Sequence, residues 1–370
     1  MAEIQKKILV IDSRPPTPDY DSGSMRMSRL LDALLSLSCK VTFAASFPLA
    51  WPPLSERAET DILNLKNRGI EVAESVDGHL LSEGRRYDAV ILSGGVYTAI
   101  RHVESVFKHA PQADLIFDTV DLHFLREYRH ARLTANQQML RRALASKANE
   151  VAIARRARWT LVVSPAEKDI LSRECPEARV EVLSNIHETR ASREPFTRRR
   201  DILFIGAFQH LPNRDAVSHF VEEIFPLVKK EIPDLRFFIL GGHPPAEIQR
   251  LDSEDIIVTG HLSDIDTYLD SCKLSVAPLR FGAGVKGKVL LSLSRGLPVV
   301  ATSIAAEGMY LTNGKDVMVA DSASEFGRAI VDLYNDEDRW SEISTNGLEI
   351  VSRYFSFAAA RETMKRLLGI

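Results

Sequence analysis

The densest grouping of residues suited to chemistry in this chain is Arg280-Phe-Gly-Ala-Gly-Val-Lys-Gly-Lys288, three glycines interleaved with three cations. Glycine lets the backbone approach a ligand closely and adopt conformations that other residues avoid. A helix that begins directly after such a loop offers free amides and the positive end of its dipole. Lys286 and Lys288 bring full charges to the same place, and the combination suits a diphosphate. Taken alone, the stretch reads equally well as a tight loop carrying two solvated lysines.

Other groupings are weaker. Asp264-Ile-Asp266 has the form of an acidic metal-binding pair, but Ser263 followed three residues later by Asp266, ahead of Tyr268-Leu269, fits a capped helix start. Ser164, Asp169 and His187 lack the Gly-x-Ser-x-Gly elbow of a nucleophile, and Ser164 fits a helix cap better. No Gly-x-Gly-x-x-Gly follows the apolar run at 8–11, which disfavours a nicotinamide enzyme. Cys39, Cys175 and Cys272 are scattered and odd in number, as free thiols of a reducing compartment are, and no spacing resembles a metal site. Neither metal nor cofactor is expected. Residues 126–158 are strongly basic, with Arg126, Arg129, Arg132, Arg141, Arg142, Lys147, Arg155, Arg156 and Arg158 against Glu127 and Glu150. Such a run is either a solvated helix face or an attraction to an anionic membrane surface or a pyrophosphate-linked lipid.

The elements that must position these residues follow from periodicity. Short β-branched runs alternate with helical patterns, the mark of α/β architecture with parallel sheets. A first series of strands is expected at 7–11, 40–44, 89–93, 115–118 and 160–164, with helices clearest at 24–37 and 135–157. A second series is expected at 201–206, 236–241, 256–259, 274–277, 298–301 and 317–319. The glycine-rich loop falls between the strand at 274–277 and a helix from about 285 to 295, which Gly296 terminates. Each series suffices for a doubly wound sheet, and the polar, aperiodic stretch 186–200 is the linker candidate. The expected organisation is a Rossmann-like domain at 1–190, a second Rossmann-like domain at 201–350, and a C-terminal helix at 351–370 packing back on the first.

Composition agrees. A chain of 370 residues exceeds one compact core, and 45% hydrophobic with 26% charged residues is ordinary for a soluble protein. A net charge of -3 gives no sign of a nucleic-acid partner. The apolar run at 8–11 is too short for a signal peptide or a membrane span, so a cytoplasmic protein, or one peripheral on the inner face of the plasma membrane, is expected.

Several motifs, in order, resemble glycosyltransferase family 4: Phe204-Ile-Gly-Ala-Phe-Gln-His-Leu-Pro-Asn-Arg-Asp-Ala216, Glu223-Ile-Phe-Pro226, Val258-Thr-Gly-His-Leu262, Ala277 through Lys288, Gly296-Leu-Pro-Val-Val-Ala-Thr302 and Ala306-Glu-Gly308. The N-terminal half matches more loosely, through residues 16–27 and Asp118-Thr-Val-Asp-Leu-His123. The resemblance implies a GT-B fold, two Rossmann-like doubly wound domains facing across a cleft, and metal-independent retaining transfer from a UDP- or GDP-linked sugar to a glycan or lipid-linked acceptor. By the same resemblance Gly260, His261 and Leu262 meet the base. Gly282, Ala283, Gly284 and Val285, with Lys286 or Lys288 and Arg280, meet the diphosphate. Asn213 and Glu307 lie near the donor, Gly23 opens a helix facing the diphosphate, and His123 sits at the sugar end, with a loop histidine bonded to Asp121 as its plainer reading. Lys288 and His123 are the catalytic candidates.

The chain departs from the family pattern in two places. Two glutamates with seven residues between them are replaced by Ala283 and Leu291, and the second is the one expected on the ribose. Losing a charged hydrogen bond of that kind costs on the order of 1.5–3 kcal/mol, a roughly ten- to hundredfold weakening. The family's basic pair after the first strand of the donor domain is also missing from Gln209-His-Leu-Pro-Asn213. An impaired pseudoenzyme serving as an assembly partner is therefore the competing reading, and a sugar-nucleotide epimerase of the same fold a third.

Overall fold

A computed structural model describes residues 5–18, 21–47, 55–262 and 264–370, with only the backbone of 55 and 56. They form two compact units, Met1–Ile186 with Phe357–Ile370, and His187–Ser356.

In the first unit seven parallel strands, β1 (Lys7–Asp12), β2 (Lys40–Ala45), β3 (Glu71–Ala73), β4 (Ala89–Leu92), β5 (Asp114–Asp118), β6 (Trp159–Val162) and β7 (Val180–Val182), are ordered β3-β2-β1-β4-β5-β6-β7. Ile8, Leu9, Val10 and Ile11 are all buried, because β1 is central and covered on both faces, which is why it reads as a continuous apolar run. The helices are α1 (Ser22–Ser36), α2 (Ser55–Asn67), α3 (Val76–Glu83), α4 (Gly95–His109), α5 (His123–Leu133), α6 (Gln137–Arg156) and α7 (Pro165–Glu174). Ser164 caps α7, its side chain accepting from the Glu167 amide.

In the second unit six parallel strands, β8 (Arg200–Ile205), β9 (Phe237–Leu240), β10 (Ile256–Gly260), β11 (Cys272–Ala277), β12 (Val299–Ala301) and β13 (Met318–Val319), are ordered β10-β9-β8-β11-β12-β13. The helices are α8 (Leu211–His219), α9 (Phe225–Glu231), α10 (Ala246–Gln249), α11 (Asp266–Ser271), α12 (Gly287–Ser294), α13 (Ser303–Ala306), α14 (Ala323–Asn335) and α15 (Glu337–Tyr354). One more helix, α16 (Phe357–Leu368), returns to the first unit, where Ala360, Met364, Leu367 and Leu368 share a core with Ile8, Leu30 and Leu31.

The sheets differ from expectation in detail. Strands β3 and β7 have three residues each, too short to show a period. Helix α12 starts two residues later than expected, since Lys286 is extended and acts as its N-cap, while Gly296, at φ 67°, follows its end. The stretch 186–200 is docked rather than free. Arg199 is buried, donates to the carbonyls of Glu194, Leu269 and Cys272, and lies 5.2 Å from the Trp340 ring centroid. One arginine consuming three carbonyls gives a polar sequence a buried anchor, which hydrophobic periodicity does not reveal.

Candidate functional site

A doubly wound sheet binds ligands outside the carboxyl ends of its strands, where the strand order reverses. In the second unit the reversal lies between β8 and β11, and the helices that follow these strands are α8 and α12. The backbone is crowded there. A Cβ on Gly206 falls 2.8 Å from the Asn213 carboxamide, and one on Gly241 falls 1.9 Å from the Gly206 carbonyl oxygen. Only glycine allows this approach.

Two cations converge on the reversal. Lys286 is buried and donates to the Gly284 carbonyl at 2.5 Å. Lys288, in the first turn of α12, donates from Nζ to Asn213 Oδ1 at 2.7 Å, across from α8. Its Nζ lies 5.2 Å from the Phe204 ring centroid. Burial, with Lys286 adding repulsion, pushes the Lys288 pKa down to about 7. Gly282, at φ 151°, and Gly284, at φ 69°, shape the loop between them, with Ala283 and half-buried Val285 in the same turn. Arg280 is turned to α8, where it pairs with Asp215, Nε to Oδ2 at 2.9 Å.

The remaining donor-side candidates occupy loops at the same ends of the sheet. Gly260 ends β10 at φ 72° and its carbonyl accepts from the Gly241 amide; exposed His261 follows. Glu307 caps the end of α13, half-buried, ahead of Gly308 at φ 73°. Leu262 and Leu291, both half-buried, pack on one small apolar cluster with Leu203, Leu240, Leu269 and Leu297. Leu291 is thus part of a hydrophobic wall. Ser263 lies outside the described residues. Asp264 Oδ1 accepts from the Asp266 amide, and the Asp266 carboxylate is held by Arg190 at 2.9 Å and Arg295 at 2.7 Å. Among the described residues no group of histidine, cysteine, aspartate and glutamate side chains is arranged to hold a metal ion.

The first unit has its own reversal, between β1 and β4. Gly23 lies in the first turn of α1, which Asp21 caps by accepting from the Ser24 amide. Gly94 and Gly95, at φ 76° and 74°, open α4, and a Cβ on Gly95 falls 2.2 Å from His123 Cε1. The His123 ring is seated there, with Nδ1 2.8 Å from Asp121 Oδ1 and the Tyr97 ring edge-on. Burial disfavours the imidazolium, but the Asp121 carboxylate outweighs it and the net shift is upward. Asp121 is itself paired with Arg126. Val120, a β-branched residue at φ 64°, strains the loop that presents Asp121 and His123.

A carboxylate network underlies that loop. Arg26 makes a bidentate pair with buried Asp118, 2.8 Å on each arm, and also donates to the Leu183 carbonyl. Ser93 Oγ donates to Asp118 at 2.9 Å. Burial pushes the Asp12 carboxyl up to about 7, with Asp118 adding repulsion. Buried Glu150 accepts from the amides of His123 and Phe124, and burial pushes it, too, up to about 7. Sequence reading overlooked this network. The Gly94-Gly95 pair after an apolar strand was its one visible sign, whereas Arg26 meets Asp118 across 92 positions and Glu150 meets the His123 amide across 27.

The basic stretch forms the hairpin of α5 and α6. Arg142 pairs with Glu127, Lys147 with Glu174, Arg155 with Glu177 and Arg156 with Glu104, which neutralises much of the run. Arg132 and Arg141 are exposed near the turn, as are Leu133 and Leu144. No helix among the described residues is long and apolar enough to cross a membrane.

Comparison with known proteins follows this geometry. The sequence pattern of the family described as glycosyl transferases group 1 matches residues 199–336. A 44.6 kDa protein of the cps region of Klebsiella pneumoniae is 24% identical over 165 residues, a match spanning 42% of each chain. Among solved structures, sucrose-phosphate synthase from Thermosynechococcus elongatus superposes with a TM-score of 0.74 over 98% of both chains at 14% identity. HepE from Anabaena, solved with UDP-glucose, superposes with a TM-score of 0.70 at 12% identity, covering 98% of this chain and 99% of its own. The chain thus has the GT-B fold, and its residues 199–336 match the sequence pattern of the glycosyl transferases group 1 family.

Proposed function

We propose that the protein is a retaining, metal-independent glycosyltransferase that moves a hexose-type sugar from a nucleoside diphosphate to a glycan or lipid-linked acceptor in cell-surface polysaccharide synthesis. The observation that carries this reading is the convergence of Lys286, Lys288 and the α12 N-terminus on the strand-order reversal beside a glycine-rich loop. That arrangement suits a diphosphate because it offers fixed positive charge and free amides at one point. HepE was solved with UDP-glucose and the Klebsiella relative comes from a cps region, which favours a UDP-linked donor and capsule-type polysaccharide.

In the reaction the bond between the anomeric carbon and the diphosphate oxygen breaks, and the electron pair stays on the phosphate. The acceptor oxygen bonds to the same face of the sugar, and its proton passes to the departing phosphate oxygen. The chain's contribution is to stabilise the charge that develops on the leaving group, with the lysines already in place. His123, held through Nδ1 by Asp121, keeps its orientation for a sugar hydroxyl. Exposed Arg132 and Arg141 beside Leu133 and Leu144 suit a peripheral contact with an anionic membrane surface, where a lipid-linked acceptor resides.

A Lys288→Ala variant tests the reading. Donor affinity and turnover should both fall, by about a hundredfold in turnover; unchanged kinetics removes the diphosphate assignment. Leu291 favours the second reading, a binding or assembly partner without activity. Calorimetry of the wild type with UDP, GDP and ADP separates the two, since no binding of any of them leaves only the partner role.

A further inference from the structure

The Lys288 side chain is fixed from the opposite side of the reversal. Asn213, buried in the first turn of α8, donates from Nδ2 to the Ala207 carbonyl at 2.7 Å, which settles which end of its carboxamide is oxygen. The remaining oxygen, Oδ1, accepts from Lys288 Nζ at 2.7 Å. Gly206 leaves the room, since a Cβ there falls 2.8 Å from the Asn213 amide. The half-buried amine is therefore held by a neutral acceptor, and among the described residues no carboxylate pairs with it. Facing it are Asn213 from α8, the Phe204 ring from β8 and Lys286 from its own loop; the α8 carboxylate, Asp215, is occupied by Arg280. An ammonium partly withdrawn from water beside a second lysine is disfavoured, and an arriving anion supplies the missing counter-charge.

We propose that Asn213 is a positioning residue that aims Lys288 at the donor diphosphate, and that the diphosphate binds together with a proton taken up by the Lys288 amine. The proposal rests on the nucleotide reading above and adds to it a role for Asn213 and a proton. The pKa of about 7 in the empty site supports it, because the phosphate charge must raise that value in the complex. Linkage then fixes the sign: affinity is full below the empty-site value and falls by up to about tenfold per pH unit above it, until the bound-state value is passed. Asn213→Ala removes the acceptor of the charged form and moves the onset of the fall to lower pH. Asn213→Asp supplies a counter-charge and moves it to higher pH, while weakening the anion outright. A residue that merely kept α8 folded would shift the melting temperature and leave the onset where it was.

The experiment is calorimetric titration of UDP, GDP and ADP into the full chain between pH 5 and 9, in buffers of differing ionisation enthalpy. The expected result is proton uptake at pH 8, a falling affinity with rising pH in the wild type, opposite displacements in the two Asn213 variants, and a flat profile for Lys288→Arg. Nucleotide binding with no proton uptake, or onsets unmoved in both variants, overturns the proposal and leaves the nucleotide reading standing. No nucleotide binding by the wild type overturns both.

Discussion

The two units solve the same topological problem with opposite charge. Each has a parallel sheet with one reversal of strand order and a pair of glycines crowding the backbone beside it. In the second unit the groups around the reversal are lysines, and burial lowers the Lys288 pKa. In the first they are carboxylates, and burial raises Asp12 and Glu150. Burial drives each towards neutrality, from opposite directions. The fold is shared; the sign of the buried charge is written in side chains.

The comparison is most sharply broken at Arg26. Replacing it by Met leaves the buried Asp118 carboxylate without its guanidinium and with the Ser93 hydroxyl as a hydrogen-bond donor, and the first unit should lose about 3–5 kcal/mol in chemical denaturation. Next in size, Leu291→Glu tests whether the apolar wall limits the grip on ribose. Affinity for UDP should rise roughly tenfold over the wild type, with little change for the ribose-free pyrophosphate, and an equal change for both sinks the idea. Smallest, Asp12→Asn keeps the Oδ1 acceptor for Ser13 and removes the titration. A carboxyl raised to about 7 in the folded state binds more protons folded than unfolded between pH 4 and 7, so its contribution to stability declines as pH rises through that window. The variant should therefore be the more stable of the two at pH 8, by on the order of 1–3 kcal/mol, and the gap should close near pH 4. A constant gap across that range means Asp12 does not titrate as described.

Much of the scaffold was legible because buried parallel strands are continuous apolar runs, and β1, β4 and β8 all show it. The loop from Arg280 to Lys288 was legible because glycine and lysine are informative at short range. What sequence could not give was pairing at long range. Lys288 and Asn213 are 75 positions apart, and nothing in either segment names the other. Arg26 sits in an amphipathic helix where an arginine is expected to face solvent, yet it is 2% exposed. Arg280 was read as a diphosphate ligand from its place in the loop, and the structure turns it to Asp215. The basic run at 126–158 looked uniform in one dimension, whereas ion pairs with four glutamates leave its charge concentrated at the turn.

The chain enters the second unit at His187 and leaves it at Ser356, and the His187 amide donates to the Phe355 carbonyl at 2.7 Å, so entry and exit are side by side. Residues 187–356 are in effect a cassette spliced into another domain. On the ribosome this cassette can close on itself while the first sheet still lacks α16, whose Met364 and Leu367 fill the core beside Leu30 and Leu31. The unit that starts first thus finishes last, and its exposed core must wait out the synthesis of its neighbour. The same splice gives protein engineers two adjacent cut points at which one second unit can be exchanged for another.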